Sequence, residues 1–501
     1  MQGYYTNVCR FGNQILYMGY DEKGKRVKYK EEFHPTLFTS SQALSEWKDI
    51  YGNPVEPVMP GTMRDCKEFI ERYSDVVGFT VYGNKNYVAQ FLHAKFPEEI
   101  EWQTPKIIYW DIETLPTEYG YSEAHEAEGQ ISAIAFVDND GNAHSFSFVD
   151  YEPKSSLLQG LSVEKRVFNN ERDMLMGAMN FLVSYDPSIY TGWNSVEYDM
   201  VYFLTRIIKI LGEDTAKRIS PWGKIQLRER EEQGKMRYQY EIYGVEQLDY
   251  MQLFKKFGMK FGPQESYRLD AIAELVLNKK KLDYSMYKNL KEMYEKDFQR
   301  YMEYNIIDTR LVYELEQELG YINMCLTAAY SAKVNYSEEL LTIPAWDSII
   351  YGELLKRKIC VPLGSDSAKR PYPGGYQKDL IKGYHKYVFT EDVASLYPST
   401  IIQFNISPET ICGFIDGVTV SPQPDVYDLS DKTDYGLSED QCVSAAGHVY
   451  RTDKQGIIPE LLQRFIDSRK VYKKQMKTIE NEMESIKAIL AQRGGTCLMN
   501  N

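Results

Sequence analysis

Apolar and polar residues alternate over 4–8 and 14–18, which reads as strands, whereas 63–73 repeats its apolar positions at helical spacing. From 105 onward the apolar content thickens. Ile107-Ile108-Tyr109-Trp110-Asp111-Ile112-Glu113 reads as a buried strand, and 131–137 with 143–148 as a hairpin across Asp138-Asn139-Asp140-Gly141. Helical periodicity follows at 171–183, 200–211 and 269–277, then through one long stretch, 290–319. A further helix is expected at 345–357, and 235–243 reads as one arm of an extended hairpin.

The turn-forming run Arg370-Pro371-Tyr372-Pro373-Gly374-Gly375-Tyr376 ends one unit and starts another. A strand at 386–389 then leads to Asp392. Near the end, Gly456-Ile457-Ile458-Pro459-Glu460 opens a helix with proline in its first turn. Apolar residues from Leu462 to Leu490 continue it as far as Gly494-Gly495. These patterns predict several domains mixing α/β and α+β architecture: an N-terminal mixed domain over 1–104 with 321–363 returning to it, an α/β domain over 105–320, and two smaller pieces, 364–455 and 456–501.

Composition narrows the class. With 43% hydrophobic and 26% charged residues over 501 positions, the chain reads as soluble and globular, with no apolar run of membrane-spanning length and no secretory signal at Met1-Gln2-Gly3. Its seven cysteines are scattered and never spaced as Cys-x-x-Cys, which argues against a disulfide framework and a zinc site. The net charge of −14 disfavours polyanion binding over the surface at large, yet Lys and Arg gather in 278–296 and 464–477.

The acidic residues carry the candidate chemistry. Asp111 and Glu113 lie two apart on a strand, so both point to one face and repel each other unless a cation joins them. Asp199 follows a strand and loop carrying Asn194, and Tyr304 and Asp308 share a helix face at i and i+4. Four carboxylates and a phenol are the donor set for two Mg²⁺ or Mn²⁺ ions that activate water against a phosphodiester.

As an ordered set these segments resemble the three motifs of 3′→5′ proofreading exonucleases. Asp111 and Glu113 match the first, Asn194 and Asp199 the second, and Tyr304 with Asp308 the third. The resemblance implies a ribonuclease H-like domain in which the four carboxylates hold the metals. Tyr304 would orient the attacking water and Asn194 would place the primer end. Further on, Asp392-Val393-Ala394-Ser395-Leu396-Tyr397-Pro398-Ser399 resembles the first palm motif of family B DNA polymerases. It implies that Asp392 binds metal, that Ser395 and Leu396 cradle the triphosphate, and that Tyr397 packs under the deoxyribose. Tyr372, Gly374 and Gly375 resemble the DNA-contacting Tyr-x-Gly-Gly element between the modules. Arg469 and Lys473, at i and i+4, resemble the triphosphate-gripping residues of a fingers helix.

With Asn405-Ile406-Ser407-Pro408-Glu409-Thr410 and Gly456-Ile457-Ile458-Pro459, the chain resembles the N-terminal half of the replicative family B polymerases of T-even-type bacteriophages. The second fingers helix, the Tyr-x-Asp-Thr-Asp palm motif and the thumb do not occur in it. The resemblance implies a split polymerase subunit acting on primer-template, a single-stranded 3′ end and dNTP in the cytoplasm of an infected bacterium. A complementary C-terminal polymerase chain would complete the site, and a sliding clamp would be reached through that chain. The alternatives are a free-standing exonuclease with a vestigial palm, a non-catalytic nucleic-acid-binding scaffold, and a fragment of a longer gene.

Overall fold

The computed structural model describes residues 3–74, 76–158, 160–232, 234–363, 379, 381–416, 435–444 and 446–492. The chain divides into two compact units, 1–42 with 55–363, and 43–54 with 364–501.

The first unit is organised by a six-stranded sheet in the order Val163–Val167, Ala143–Ser147, Ile131–Val137, Ile107–Thr114, Ile189–Gly192, Glu246–Asp249. Ile107–Thr114 lies near the middle, antiparallel to Ile131–Val137 and parallel to Ile189–Gly192. The expected hairpin forms because Asp138 Oδ1 accepts the amides of Asp140 and Asn142 at 2.9 Å each, while Gly141 takes a φ of 81°.

Period-two alternation sends the central strand's side chains to two different cores. Ile108, Trp110 and Ile112 pack with residues of the helices Glu171–Tyr185 and Asp199–Leu211. Ile107 and Tyr109 pack on the other face with the helix Phe298–Leu319, where Tyr109 and Tyr313 meet edge to face at 5.3 Å. Asp111 and Glu113 therefore face that helix.

The stretch 290–319 is not one helix but two, Leu290–Lys296 and Phe298–Leu319. Asp297 leaves the helical region at φ −142°, and its carboxylate accepts the Arg300 amide at 3.1 Å, so an acidic side chain in mid-run becomes the cap of a new helix. Residues 235–243 belong to an antiparallel hairpin, Ile225–Glu232 with Lys235–Ile242.

At the N-terminus, Tyr4–Phe11, Gln14–Tyr20 and Arg26–Glu32 form a three-stranded antiparallel sheet. The first strand is stitched to the segment after the helix Tyr321–Ala332: the Val8 amide donates to Asn335 Oδ1 at 2.8 Å, and Asn335 Nδ2 returns a bond to the Val8 carbonyl at 2.9 Å. Tyr5 donates to the Val334 carbonyl at 2.7 Å, and Tyr330 to the Tyr5 carbonyl at 2.8 Å.

In the second unit the helix Leu396–Gln403 precedes a three-stranded sheet, with His448–Arg451 between Ile411–Phe414 and Gln441–Val443, and the chain continues as the 36-residue helix Ile457–Gln492. Asn405 joins these parts, donating to the Arg451 and Lys454 carbonyls and accepting the Gly456 amide, while Glu409 accepts the Ile457 amide at 2.5 Å. A Cβ on Gly456 would lie 2.7 Å from that of Ser407, so the start of the long helix requires glycine.

The expected strand at 386–389 does not form. A strand exists through bonds to a neighbour, and among the described residues none pairs with Val388 or Phe389, which are 73% and 82% exposed. The Pro/Gly run 370–376, the pair Gly494-Gly495 and Cys497 lie outside the described residues. The other six cysteines are free thiols.

Replacing Asn335 with alanine removes both sides of its buried bridge to Val8 and a helix cap. Urea unfolding is expected to register a loss of about 2–4 kcal/mol for Asn335→Ala.

Candidate metal-binding nuclease site

Three carboxylates meet where the central strand passes under the helix Phe298–Leu319. One oxygen each of Asp111, Glu113 and Asp308 lies within 4.8 Å of the others, and among the described residues no other trio of His, Cys, Asp or Glu does so. Strand alternation places the first two, and a helix running over the same face supplies the third. That helix also brings Asn305, whose Nδ2 donates to Asp111 Oδ2 at 2.7 Å and holds that carboxylate's orientation. Tyr304, one turn before Asp308, is buried, and Tyr284 packs edge-on against its ring at 5.5 Å.

Asp199 enters from the other side of the strand. Pairing of Ile189–Gly192 with the central strand ends at Tyr109, which would leave the Ile112 amide without an acceptor there, and Asp199 Oδ1 takes it at 3.2 Å. Asp199 is thus fixed beside Asp111 without belonging to the tight trio. The loop before it is held by Asp249, which accepts the amides of Asn194 at 3.2 Å and Val196 at 3.4 Å and also caps the next helix. Asn194 adopts a left-handed φ of 64°. At Gly192 a Cβ would come 2.5 Å from the Trp110 carbonyl oxygen, so the loop approaches the strand this closely only through glycine.

Burial and crowding make the cluster reluctant to ionise. Burial raises Asp111 well above the usual carboxylate range, reinforced by Asp199, Glu113 and Asp308. Glu113 is pushed up to about 8 by burial and by Asp308, and Asp199 to about 7, chiefly by burial. Burial raises Asp308 as well, despite Lys281. Lys281 answers part of this charge, with its Nζ 2.5 Å from Asp308 Oδ2 and 3.3 Å from the Tyr304 hydroxyl. Burial works against the Lys281 ammonium, but the surrounding carboxylates outweigh it and raise its pKa. Burial, with Asp308, Glu113 and Asp111 nearby, also raises the Tyr304 phenol, which stays protonated.

The donor set fits a hard divalent cation. All the candidate ligands are carboxylate oxygens, and Asp308 Oδ1 is buried with no hydrogen-bond partner. Asp111 and Asp308 open on a cleft of about 1150 Å³ lined by Asn194, Tyr267, Arg268, Lys281, Tyr284 and Tyr304 among others. Five of the expected site residues, Asp111, Glu113, Asp199, Tyr304 and Asp308, converge here, and Asn194 stands on the rim. The sequence patterns do not by themselves point to Lys281, Asn305 or Asp249. Asn305 sits beside Tyr304 in the third motif and Lys281 in the basic run after 278, which were the available signals.

The second set lies in the other unit. Asp392 is exposed and precedes the helix Leu396–Gln403; Ser395 opens that helix at φ 53°, and Leu396 and Tyr397 are exposed. Arg469 and Lys473 are exposed on the long helix. Tyr372, Gly374 and Gly375 lie outside the described residues.

Comparison with known proteins bears on the family. Residues 86–272 match the family model described as "DNA polymerase family B, exonuclease domain", and 345–493 match "DNA polymerase family B". Between them the two models span more than half of the chain, which belongs to DNA polymerase family B and carries that family's exonuclease domain. It is 32% identical to the "DNA-directed DNA polymerase" of Escherichia phage RB69 over 98% of this chain and 56% of that protein. With its namesake from Enterobacteria phage T4 it shares 30% identity over 99% and 56%. The "DNA polymerase" of Thermococcus gorgonarius is 24% identical over 95% and 57%. The chain thus spans little more than half the length of these relatives.

The raised carboxylates set a pH signature for the metal-free protein. Their folded pKa values exceed the unfolded ones, so the stability they contribute is fully present below about pH 4 and is lost as pH rises through about 7 and 8. In EDTA, the melting temperature is expected to fall between pH 5 and 8.5 by more in the wild type than in Asp111→Asn/Glu113→Gln. Added Mg²⁺ should restore it at pH 8.5 but not at pH 5, where protons compete for the same oxygens.

Proposed function

We propose that this chain is a 3′→5′ exodeoxyribonuclease joined to one half of a nucleotidyl-transfer site. The observation that carries the reading is the buried, mutually repelling set Asp111, Glu113, Asp199 and Asp308 around an orphaned carboxylate oxygen, at the mouth of a cleft. The strand order and the mixed parallel and antiparallel pairing support a ribonuclease H-like domain over 105–320. Residues 1–104 with 321–363 would form the N-terminal domain, 364–455 a partial palm, and 456–501 the first part of the fingers.

In this reading the four carboxylates hold two Mg²⁺ or Mn²⁺ ions, which when bound supply a low-pKa water and charge stabilisation on phosphorus. Asn305 keeps Asp111 in place, and Asn194 positions the 3′-terminal nucleotide. Tyr304, kept protonated, donates a hydrogen bond that aligns the attacking water. Water oxygen bonds to phosphorus, the bond from phosphorus to the O3′ of the penultimate nucleotide breaks, and a deoxynucleoside 5′-monophosphate leaves. The shortened strand ends in a 3′-hydroxyl.

For synthesis, Asp392 would hold metal, Ser395 and Leu396 the triphosphate, Tyr397 the sugar, and Arg469 and Lys473 the phosphates, with Tyr372, Gly374 and Gly375 contacting primer-template. Asp392 belongs to no acidic trio among the described residues, and Val388, Phe389, Leu396 and Tyr397 present apolar surface beside it. Both features support completion by a complementary polymerase chain, through which a sliding clamp would be engaged. The infected bacterium's cytoplasm is the proposed setting; among the described residues no helix is long and apolar enough to cross a membrane.

With Mg²⁺, the purified chain is expected to shorten a 3′-single-stranded oligonucleotide and release 5′-mononucleotides. Asp111→Ala/Glu113→Ala should lower the rate by at least about three orders of magnitude with little change in DNA affinity. Unchanged hydrolysis in that variant would defeat the nuclease reading. No primer extension is expected until a polypeptide carrying the remaining palm and fingers is added, and extension by the chain alone would refute the split-site reading.

A further inference from the structure

The chain is acidic, and many of its basic side chains are paired with carboxylates: Arg206 with Glu171 at 2.8 Å, Lys209 with Glu128 at 2.6 Å, Arg228 with Glu241 at 2.7 Å. One face of the first unit departs from this. Lys28 and Lys30, on the edge strand Arg26–Glu32, both lie over the Trp222 ring, 5.5 and 5.7 Å from its centre. Among the described residues Lys28 Nζ donates only to the Pro221 carbonyl, at 3.0 Å. Lys224 lies 3.6 Å above the ring of the half-exposed Phe11, and Arg218 bonds to Asn180 Oδ1 and the Met176 sulfur. Among the described residues none of these four cations has a carboxylate partner. The nearest acid in the adjoining hollow of about 460 Å³, Asp186, is already engaged by Arg26 at 2.9 Å.

Lysines on an edge strand often only block strand-to-strand aggregation. That account covers Lys28 and Lys30, but not Arg218, at a helix end on the lining of the hollow, nor Lys224, on a loop beside Phe11. Three of these cations stand over two aromatic rings, and Arg218 lines the same hollow as Lys28; like charges gathered in this way repel one another in the free protein, and an anionic partner relieves this. We infer that the face formed by Lys28, Lys30, Arg218 and Lys224 binds the phosphodiester backbone of a single nucleic-acid strand. It shares no lining residue with the nuclease cleft and does not depend on that site's assignment. Lys28 and Lys30, two residues apart on a strand, are separated by about 7 Å, an interval that meets successive phosphates of an extended strand. The interleaved Trp222 and Phe11 rings favour bases and sugars over an acidic peptide. Glu32, at the end of the same row, sets its limit.

The test uses the full chain carrying Asp111→Ala and Glu113→Ala, in EDTA, with fluorescein-labelled oligo(dT) followed by anisotropy across a salt series. Adding Lys28→Ala, Lys30→Ala, Arg218→Ala and Lys224→Ala is expected to weaken binding about tenfold or more. The slope of log affinity against log salt should flatten by about 2 to 3, at roughly 0.7 per lost phosphate contact. Unchanged affinity and slope would overturn the inference. Should the fourfold variant fail to fold, acetylation footprinting of the parent decides: bound oligo(dT) should protect Lys28, Lys30 and Lys224. No protection, or equal protection by polyglutamate, would reject a nucleic-acid site.

Discussion

Repulsion among buried carboxylates is the constraint on which the first unit turns. Asp111, Glu113 and Asp308 are packed close enough to share a cation, in surroundings where each resists ionisation. A fold tolerates such a cluster only if something positive or hydrogen-bonding is held against it. Lys281 does so through Asp308, and Asn305 through Asp111. What remains unmet, the second oxygen of Asp308 above all, is the capacity the site keeps for an ion.

The architecture supplies this arrangement by making side chains serve backbone and site together. Asp199 satisfies an amide left over where two strands part, and is thereby fixed beside Asp111. Asp249 caps a helix and pins the Asn194 loop. Gly192 permits the approach of loop to strand. Each tie is a local hydrogen-bonding or steric requirement, and together they leave the cluster little room to spread.

The second unit presents a contrast. There the well-tied geometry lies in the scaffold: Asn405, Glu409 and Ser407 grip the start of the long helix at Gly456, Ile457 and Ile458. The residues proposed for nucleotide chemistry stand in solvent.

The sequence by itself determined the strand carrying Asp111 and Glu113, the face those carboxylates share and the helical spacing of Tyr304 and Asp308, because period two and period 3.6 are properties of the local backbone. It also carried the motifs by which the family is read. Tertiary structure alone decided that the helix crosses that particular face of that strand, that Lys281 reaches Asp308 and that Asn305 turns toward Asp111, because these contacts join residues far apart in the chain. It also decided where local pattern failed. Asp297 became a cap in mid-run because its own backbone left helical geometry between two helices, and 386–389 stayed irregular because no partner strand lay beside it among the described residues.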